Sequence, residues 1–218
     1  MSNKGAGAQP QFQLLETMLW EPERGYFLLE AHLRRLGEAA VYFDFAVDTA
    51  TVRQKLQTLA GSLPMEPHRV RLLVAAEGGI TAQAFALGPA RDPGPWRVAL
   101  ATQPVQSTDP FLRHKTTRRQ VYQAARAAYP HLDEVLLWNE RGELTEGTIA
   151  NVVVQMRGEW LTPPLACGLL PGTFRAQLLL ENVIREQVIA IDDLPGCEGI
   201  YLINSVRRWV EGEMTSDK

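Results

Sequence analysis

Two short runs, residues 69–75 (Arg-Val-Arg-Leu-Leu-Val-Ala) and 80–86 (Ile-Thr-Ala-Gln-Ala-Phe-Ala), are joined across Glu77-Gly78-Gly79. Each has the length of a strand, and the adjacent glycines supply the positive φ angles that a tight hairpin turn needs. A hairpin commits this half of the chain to antiparallel pairing. Residues 12–20 read as a buried strand, 21–25 as a turn and 26–29 as a second strand, making a hairpin with a longer loop. From residue 31, Leu33, Leu36, Ala40 and Val41 recur with a helical period, and a second helix runs over 51–59 and stops at Gly61. After the breaker-rich 90–95, residues 96–101 form a further strand. The first half is therefore a mostly antiparallel sheet with helices, an α+β layout.

Residues 103–110 read as a linker between two lobes, 11–102 and 111–218, with 1–10 as a disordered leader of small and polar residues. In the second lobe, 133–138 is a strand with its turn at 139–142. Two more strands, 149–156 and 159–161, follow across Arg157-Gly158. Pro163-Pro164 breaks the pattern, and residues 169–175 lead into a helix whose apolar face holds Phe174, Leu178, Leu179 and Ile184. Late strands fall at 188–191 and 200–203. At 218 residues the chain can bury a sizeable core. Its formal charge of −3 leaves no basic footprint for nucleic acid. Cys167 and Cys197 make neither a metal-ligand pattern nor a disulfide framework, and no apolar run reaches membrane-spanning length. A cytoplasmic enzyme or binding protein is the class left standing.

Lys115 is the residue whose setting carries most chemistry. Asp109-Pro110 brings the chain in extended, and Val121, Ala124, Ala125 and Ala128 then recur as one face of a helix. Lys115 is thus expected where a helix starts. The dipole there disfavours an ammonium and favours the neutral amine that attacks carbonyls; the alternative is a solvated lysine. Gly172 and Thr173 stand where a loop becomes a helix, either a phosphate site or an ordinary helix start. Glu146, in Leu144-Thr-Glu-Gly-Thr-Ile-Ala-Asn151, could meet a protonated ring nitrogen or be a surface-loop carboxylate. Asn204-Ser205 could place a hydroxyl on the same phosphate or form a turn.

Taken in order, Lys115, Leu144-Thr-Glu-Gly-Thr-Ile-Ala-Asn151, Leu170-Pro-Gly-Thr-Phe-Arg175 and Asn204-Ser-Val-Arg207, preceded by His32-Leu-Arg-Arg-Leu36, resemble the fold-type IV pyridoxal-phosphate enzymes. That family holds branched-chain and D-amino-acid aminotransferases and aminodeoxychorismate lyases. The resemblance runs from about Phe12 to Trp209. Phrases such as His114-Lys-Thr-Thr and Glu134-Val-Leu-Leu-Trp-Asn-Glu-Arg-Gly are most similar to the lyase branch, as found in the C-terminal half of fused para-aminobenzoate synthases. The resemblance implies two α/β lobes with pyridoxal 5'-phosphate between them, a small-molecule substrate and a homodimer. Carried over by position, Lys115 would hold the cofactor as a Schiff base and Glu146 would pair with its pyridine nitrogen. Arg35, Gly172, the backbone of Thr173 and Phe174, and Ser205 would hold its phosphate. Arg207, Arg113 and Asn151 are the candidates to meet substrate. Leu19 departs from the family, standing where many relatives have arginine. The implied activity is conversion of 4-amino-4-deoxychorismate to para-aminobenzoate and pyruvate. The alternatives are an aminotransferase of the same fold and a non-catalytic binding protein that retains it.

Overall fold

The computed structural model describes residues 12–88 and 94–215. The expected leader at 1–10 lies outside the described residues, as does most of the 90–95 stretch. Strand β1 (Leu14–Glu21) is buried on both faces, which is why it reads as a continuous apolar run. β2 is only Gly25–Tyr26. The expected strand at 26–29 is cut short because Leu28 takes φ 55 in the left-handed region, which no strand can continue through, and helix α1 (Leu29–Phe43) begins at once. Leu33, Leu36, Ala39 and Ala40 face the core, whereas Val41, expected on that face, is 85% exposed. α2 (Thr49–Ala60) is capped by Asp48, whose carboxylate accepts from the Ala50 and Thr51 amides, and it stops at Gly61 as expected.

The hairpin read first in the sequence is β3 (His68–Val74) and β4 (Ile80–Ala86), antiparallel in continuous register from His68↔Ala86 to Val74↔Ile80. Gly78 carries the turn at φ +89, and a Cβ there would sit 2.5 Å from the Ala46 carbonyl. The first sheet has the order β2-β1-β3-β4, with α1 and α2 covering one face through Leu33, Leu36, Val52, Leu56, Val70 and Leu72.

The remaining strands are β5 (Trp96–Leu100), β6 (Glu134–Trp138), β7 (Leu144–Gly147), β8 (Asn151–Met156), β9 (Glu159–Thr162), β10 (Arg185–Glu186), β11 (Gly199–Asn204) and β12 (Arg208–Met214). They form one sheet, β10-β9-β8-β11-β12-β5-β6-β7, with β5 parallel to β6 and β12. β4 closes the first sheet and β5 already belongs to the second. β7 and β12 have no alternating apolar signature, so sequence periodicity passes them by. In place of a strand at 188–191 the chain makes β10 and then a 3₁₀ turn at Ile191–Gly196.

Three short helices complete the fold: α3 (Pro110–Arg113), α4 (Gln120–Ala127) and α5 (Thr173–Leu180). The phase of α4 differs from expectation, since Tyr122 is its buried residue and Val121 is exposed. Ile184 packs with Phe174 and Leu178 although it lies beyond the end of α5. No helix among the described residues is long and apolar enough to cross a membrane.

Candidate active site

A cleft of about 660 Å³ opens between the two sheets, a size suited to a cofactor with a small substrate. Lys115 stands on its wall, but not at a helix start. α3 ends at Arg113 and α4 begins at Gln120; between them the chain runs antiparallel beside β1. The Leu15 amide donates to the Lys115 carbonyl at 2.9 Å, and the Thr117 amide donates to the Gln13 carbonyl at 2.9 Å. The lysine is thus held by strand-like bonding on both sides, and the helix dipole plays no part in its state. The side chain keeps some surface open to the cleft while protein strips most of its hydration. That loss, with the nearby positive charges of Arg35 and Arg119, lowers its pKa to about 8 against the opposing pull of Glu16 and Glu146.

Glu146 is a buried residue of β7 rather than a loop carboxylate on the surface. The Tyr122 hydroxyl donates to its Oε1 at 2.8 Å and the Asn151 Nδ2 to its Oε2 at 3.2 Å. Neither partner is a cation. Burial pushes its pKa up to about 7, only partly offset by Tyr122 and by the Lys115 and Arg119 charges. Asn151 Nδ2 also donates to the Leu170 carbonyl at 2.9 Å, tying β8 to the loop before α5. Gly172 is required by this close approach, because a Cβ there would overlap Asn151 Oδ1.

Arg35 lies on the buried side of α1. Its Nε and Nη2 donate to Glu16 Oε1 and Oε2 at 2.9 and 2.6 Å, while Nη1 donates to the Pro171 carbonyl at 3.0 Å. His32 Nδ1 lies 2.7 Å from the same Glu16 carboxylate, and its Nε2 is 3.3 Å from Thr173 Oγ1. Burial alone would raise the Glu16 pKa, but Arg35 and His32 together outweigh it and hold it at about 2. This fixed carboxylate aims Arg35 at the start of α5, whose first turn has no side-chain cap and so leaves backbone amides free for an anion. Ser205 Oγ donates to the Thr17 carbonyl at 3.2 Å beside them.

Lys115, Arg35, Glu146, Asn151, Gly172, Thr173, Ser205 and Arg207 all line one cleft. Phe174 differs, since its ring packs against Phe27 in the core and only its amide remains for a ligand. Arg113 ends α3 as an exposed residue off the cleft wall. Sequence reading missed Glu16, Tyr122, Arg119, Arg69 and Arg71. The one available signal was Tyr122, an aromatic residue one position off an alanine stripe. Arg119 donates to the Thr148 carbonyl and lies over the Tyr122 ring.

Two sheets meeting at a cation-rich cleft, with a low-pKa lysine held on its wall, define a fold-type IV protein. The chain belongs to the aminotransferase class IV family, whose model matches residues 13–212. It is 32% identical over 208 residues, 91% of this chain and 88% of the other, to a Schizosaccharomyces pombe protein provisionally named aminodeoxychorismate lyase. A solved structure from Mesorhizobium loti, provisionally named an amino-acid aminotransferase, superposes with a TM-score of 0.88 at 38% identity, covering 94% of this chain and all of that one. The 4-amino-4-deoxychorismate lyase of Pseudomonas aeruginosa shares the fold, with a TM-score of 0.76 at 21% identity over 94% of this chain and 83% of its own. The family uses pyridoxal phosphate and acts on small molecules.

Proposed function

We propose that this protein is a pyridoxal-phosphate-dependent lyase that converts 4-amino-4-deoxychorismate to para-aminobenzoate and pyruvate. The observation that carries the reading is the pairing of Lys115, lowered to about 8, with Glu146, raised to about 7, in one cleft. An amine so depressed has a neutral fraction near physiological pH of roughly a fifth, some two hundred-fold more than an ordinary lysine, and is fit for carbonyl chemistry. A buried carboxylate whose hydrogen-bond partners are both neutral is unfavourable by itself, and a protonated ring nitrogen is the partner that would restore its charge. The residues present therefore fit the cofactor. Lys115 would bind it covalently, Glu146 would face the ring nitrogen, and Arg35, Ser205 and the amides of Thr173 and Phe174 would take the phosphate.

When bound, the cofactor supplies an electron sink for the pair left behind as a substrate C–H bond breaks. The chain's residues do the rest. Tyr122 and Asn151 hold the Glu146 carboxylate in one orientation, in which it would face the ring nitrogen of a bound cofactor. Lys115, with its amine free, would be the base at hand for the proton on the substrate carbon that bears the amino nitrogen. Departure of the enolpyruvyl group leaves an aromatic ring, which makes the step downhill. The Schizosaccharomyces pombe relative's name supports this reading. The Mesorhizobium loti relative's name supports a second, an amino-acid aminotransferase, in which the same lysine would move the proton taken from the substrate.

The deciding experiment incubates the loaded protein with 4-amino-4-deoxychorismate and follows para-aminobenzoate fluorescence and pyruvate together. Equal release of both is expected. Conversion of an α-amino acid to its keto acid, with no para-aminobenzoate formed, would replace the lyase by the aminotransferase. A cytoplasmic homodimer accompanies this reading: Cys167 and Cys197 are both free, as suits a reducing compartment, and Val41 and Tyr42 of α1 are exposed beside His114, a patch suited to a second copy.

A further inference from the structure

His32 and Arg35 stand one turn apart on the buried side of α1, so both side chains reach the same Glu16 carboxylate of β1. Glu16 stays ionised across the working pH range, and an ionised carboxylate only accepts hydrogen bonds. The His32 Nδ1, 2.7 Å from Glu16 Oε2, therefore carries a proton. The other ring nitrogen, Nε2, lies 3.3 Å from Thr173 Oγ1 at the start of α5. In a neutral imidazole this nitrogen is an acceptor. The Thr173 hydroxyl then donates to it, and turns lone pairs rather than a proton to the cleft that Thr173 lines. In an imidazolium the same nitrogen donates, and the hydroxyl proton is free to point elsewhere. His32 is fully buried. Among the described residues, the groups facing it are Glu16 from β1, Arg35 from its own helix, Lys115 from the segment beside β1 and Thr173 from α5. Burial, helped by Arg35 and Lys115, outweighs Glu16 and holds the ring below the ordinary imidazole range.

We propose that the Glu16–His32–Thr173 line couples the anion end of the cleft to a proton. A dianion at the first turn of α5 draws one proton from solvent onto His32. The His32 Nε2–H then donates to Thr173 Oγ1, and the Thr173 hydroxyl donates to the anion. His32 is thus a positioning residue that acts on the ligand only through Thr173. The inference rests on giving this end of the cleft to a phosphate, and not on the reaction proposed above. Proton and anion favour each other by the same factor, because linkage is reciprocal. The gain in anion affinity is fully present below the His32 pKa of the free protein and is lost as pH rises through that of the complex.

The test uses the cofactor-free protein with sulfate as the probe, since sulfate stays a dianion near neutral pH and brings no titration of its own. The chain has four histidines, His32, His68, His114 and His131, whose isotope-labelled rings report tautomer and titration by NMR. Without sulfate, His32 is expected to be neutral at pH 7 with its proton on Nδ1. Saturating sulfate should raise its proton affinity at least about ten-fold, while His68 and His131, which do not line the cleft, stay unchanged. Thr173→Val removes the hydroxyl but keeps the backbone amide and the side-chain shape, and should cut that gain to less than about a third. Thr173→Ser should restore it. A ligand-free His32 with its proton on Nε2, no gain under sulfate, or a full gain in Thr173→Val overturns the relay. The wild-type measurements decide by themselves if Thr173→Val does not fold. The relay and the lyase fail separately. A protein that shows the sulfate-linked gain but, once loaded with cofactor, releases no para-aminobenzoate keeps the relay and loses the lyase. One that releases para-aminobenzoate while sulfate leaves His32 unmoved loses the relay alone.

Discussion

At Glu146, burial and hydrogen bonding act against each other, and burial wins. The carboxylate accepts bonds from Tyr122 and Asn151, but neither brings the positive charge that would offset lost hydration. Between the unfolded value near 4.5 and the folded value near 7, the folded protein binds more protons than the unfolded chain. The cofactor-free protein should therefore lose stability as pH rises through that window, by on the order of 3 kcal/mol. Glu146→Gln should flatten this limb of a denaturant-midpoint profile and, in the loaded protein, lower kcat while leaving cofactor bound. A profile of unchanged slope would show that Glu146 titrates normally. Lys115 is the opposite case, a cation depressed by burial. Lys115→Ala should remove the visible absorption of the bound cofactor and reduce turnover by at least roughly 10²–10⁴-fold. Retained para-aminobenzoate production would mean that another amine does this work.

Among the elements, α5 and β8 fix the geometry of the phosphate end. Asn151 on β8 reaches both Glu146 and the Leu170 carbonyl, and Gly172 lets the chain pass close enough for α5 to begin there. Gly172→Ala should push Asn151 out of this position. The expected cost is about 1–3 kcal/mol in denaturant unfolding, with a weaker affinity for pyridoxal phosphate in titration. Unchanged cofactor affinity would show that α5 does not approach the ligand. The alanines that follow Lys115 at helical spacing predict a helix start at that lysine. Pairing with β1 overrides that local preference, since Leu15 and Gln13 offer backbone partners that periodicity cannot reveal.

For the molecule as a whole, the Glu16–Arg35–His32 cluster joins the first sheet to the second. Glu16 comes from β1 and Arg35 from α1, and Arg35 then bonds to Pro171 just before α5. Ser205 to Thr17 and Arg208 to Glu21 add further ties across the cleft. Removing one partner of a buried pair strands the other, at a cost of about 3–5 kcal/mol. Glu16→Gln should lower the unfolding midpoint accordingly and also weaken cofactor binding, because Arg35 loses its aim. The Glu16 contribution is present above pH 4.5 and lost as pH falls toward 2, the reverse of the Glu146 limb. Acid titration of wild type and Glu16→Gln would separate the two; a variant as stable as wild type at pH 7 would contradict the clamp.

Much of this was legible in the order of residues. The Gly78-Gly79 hairpin, the stop at Gly61 and the apolar runs of β1 and β8 follow from local sterics and burial. The motifs around Lys115, Glu146, Gly172 and Ser205 name a family because their chemistry is carried by residue type. What the chain alone could not decide was set by partners distant in sequence. Glu16 meets Arg35, Tyr122 meets Glu146 and β5 joins the second sheet only after folding, and β7 and β12 gain strand geometry from their neighbours. The protonation of Lys115 and the exposure of Arg69 and Arg71 to the cleft are likewise tertiary, because hydration and charge proximity depend on what surrounds a residue in space.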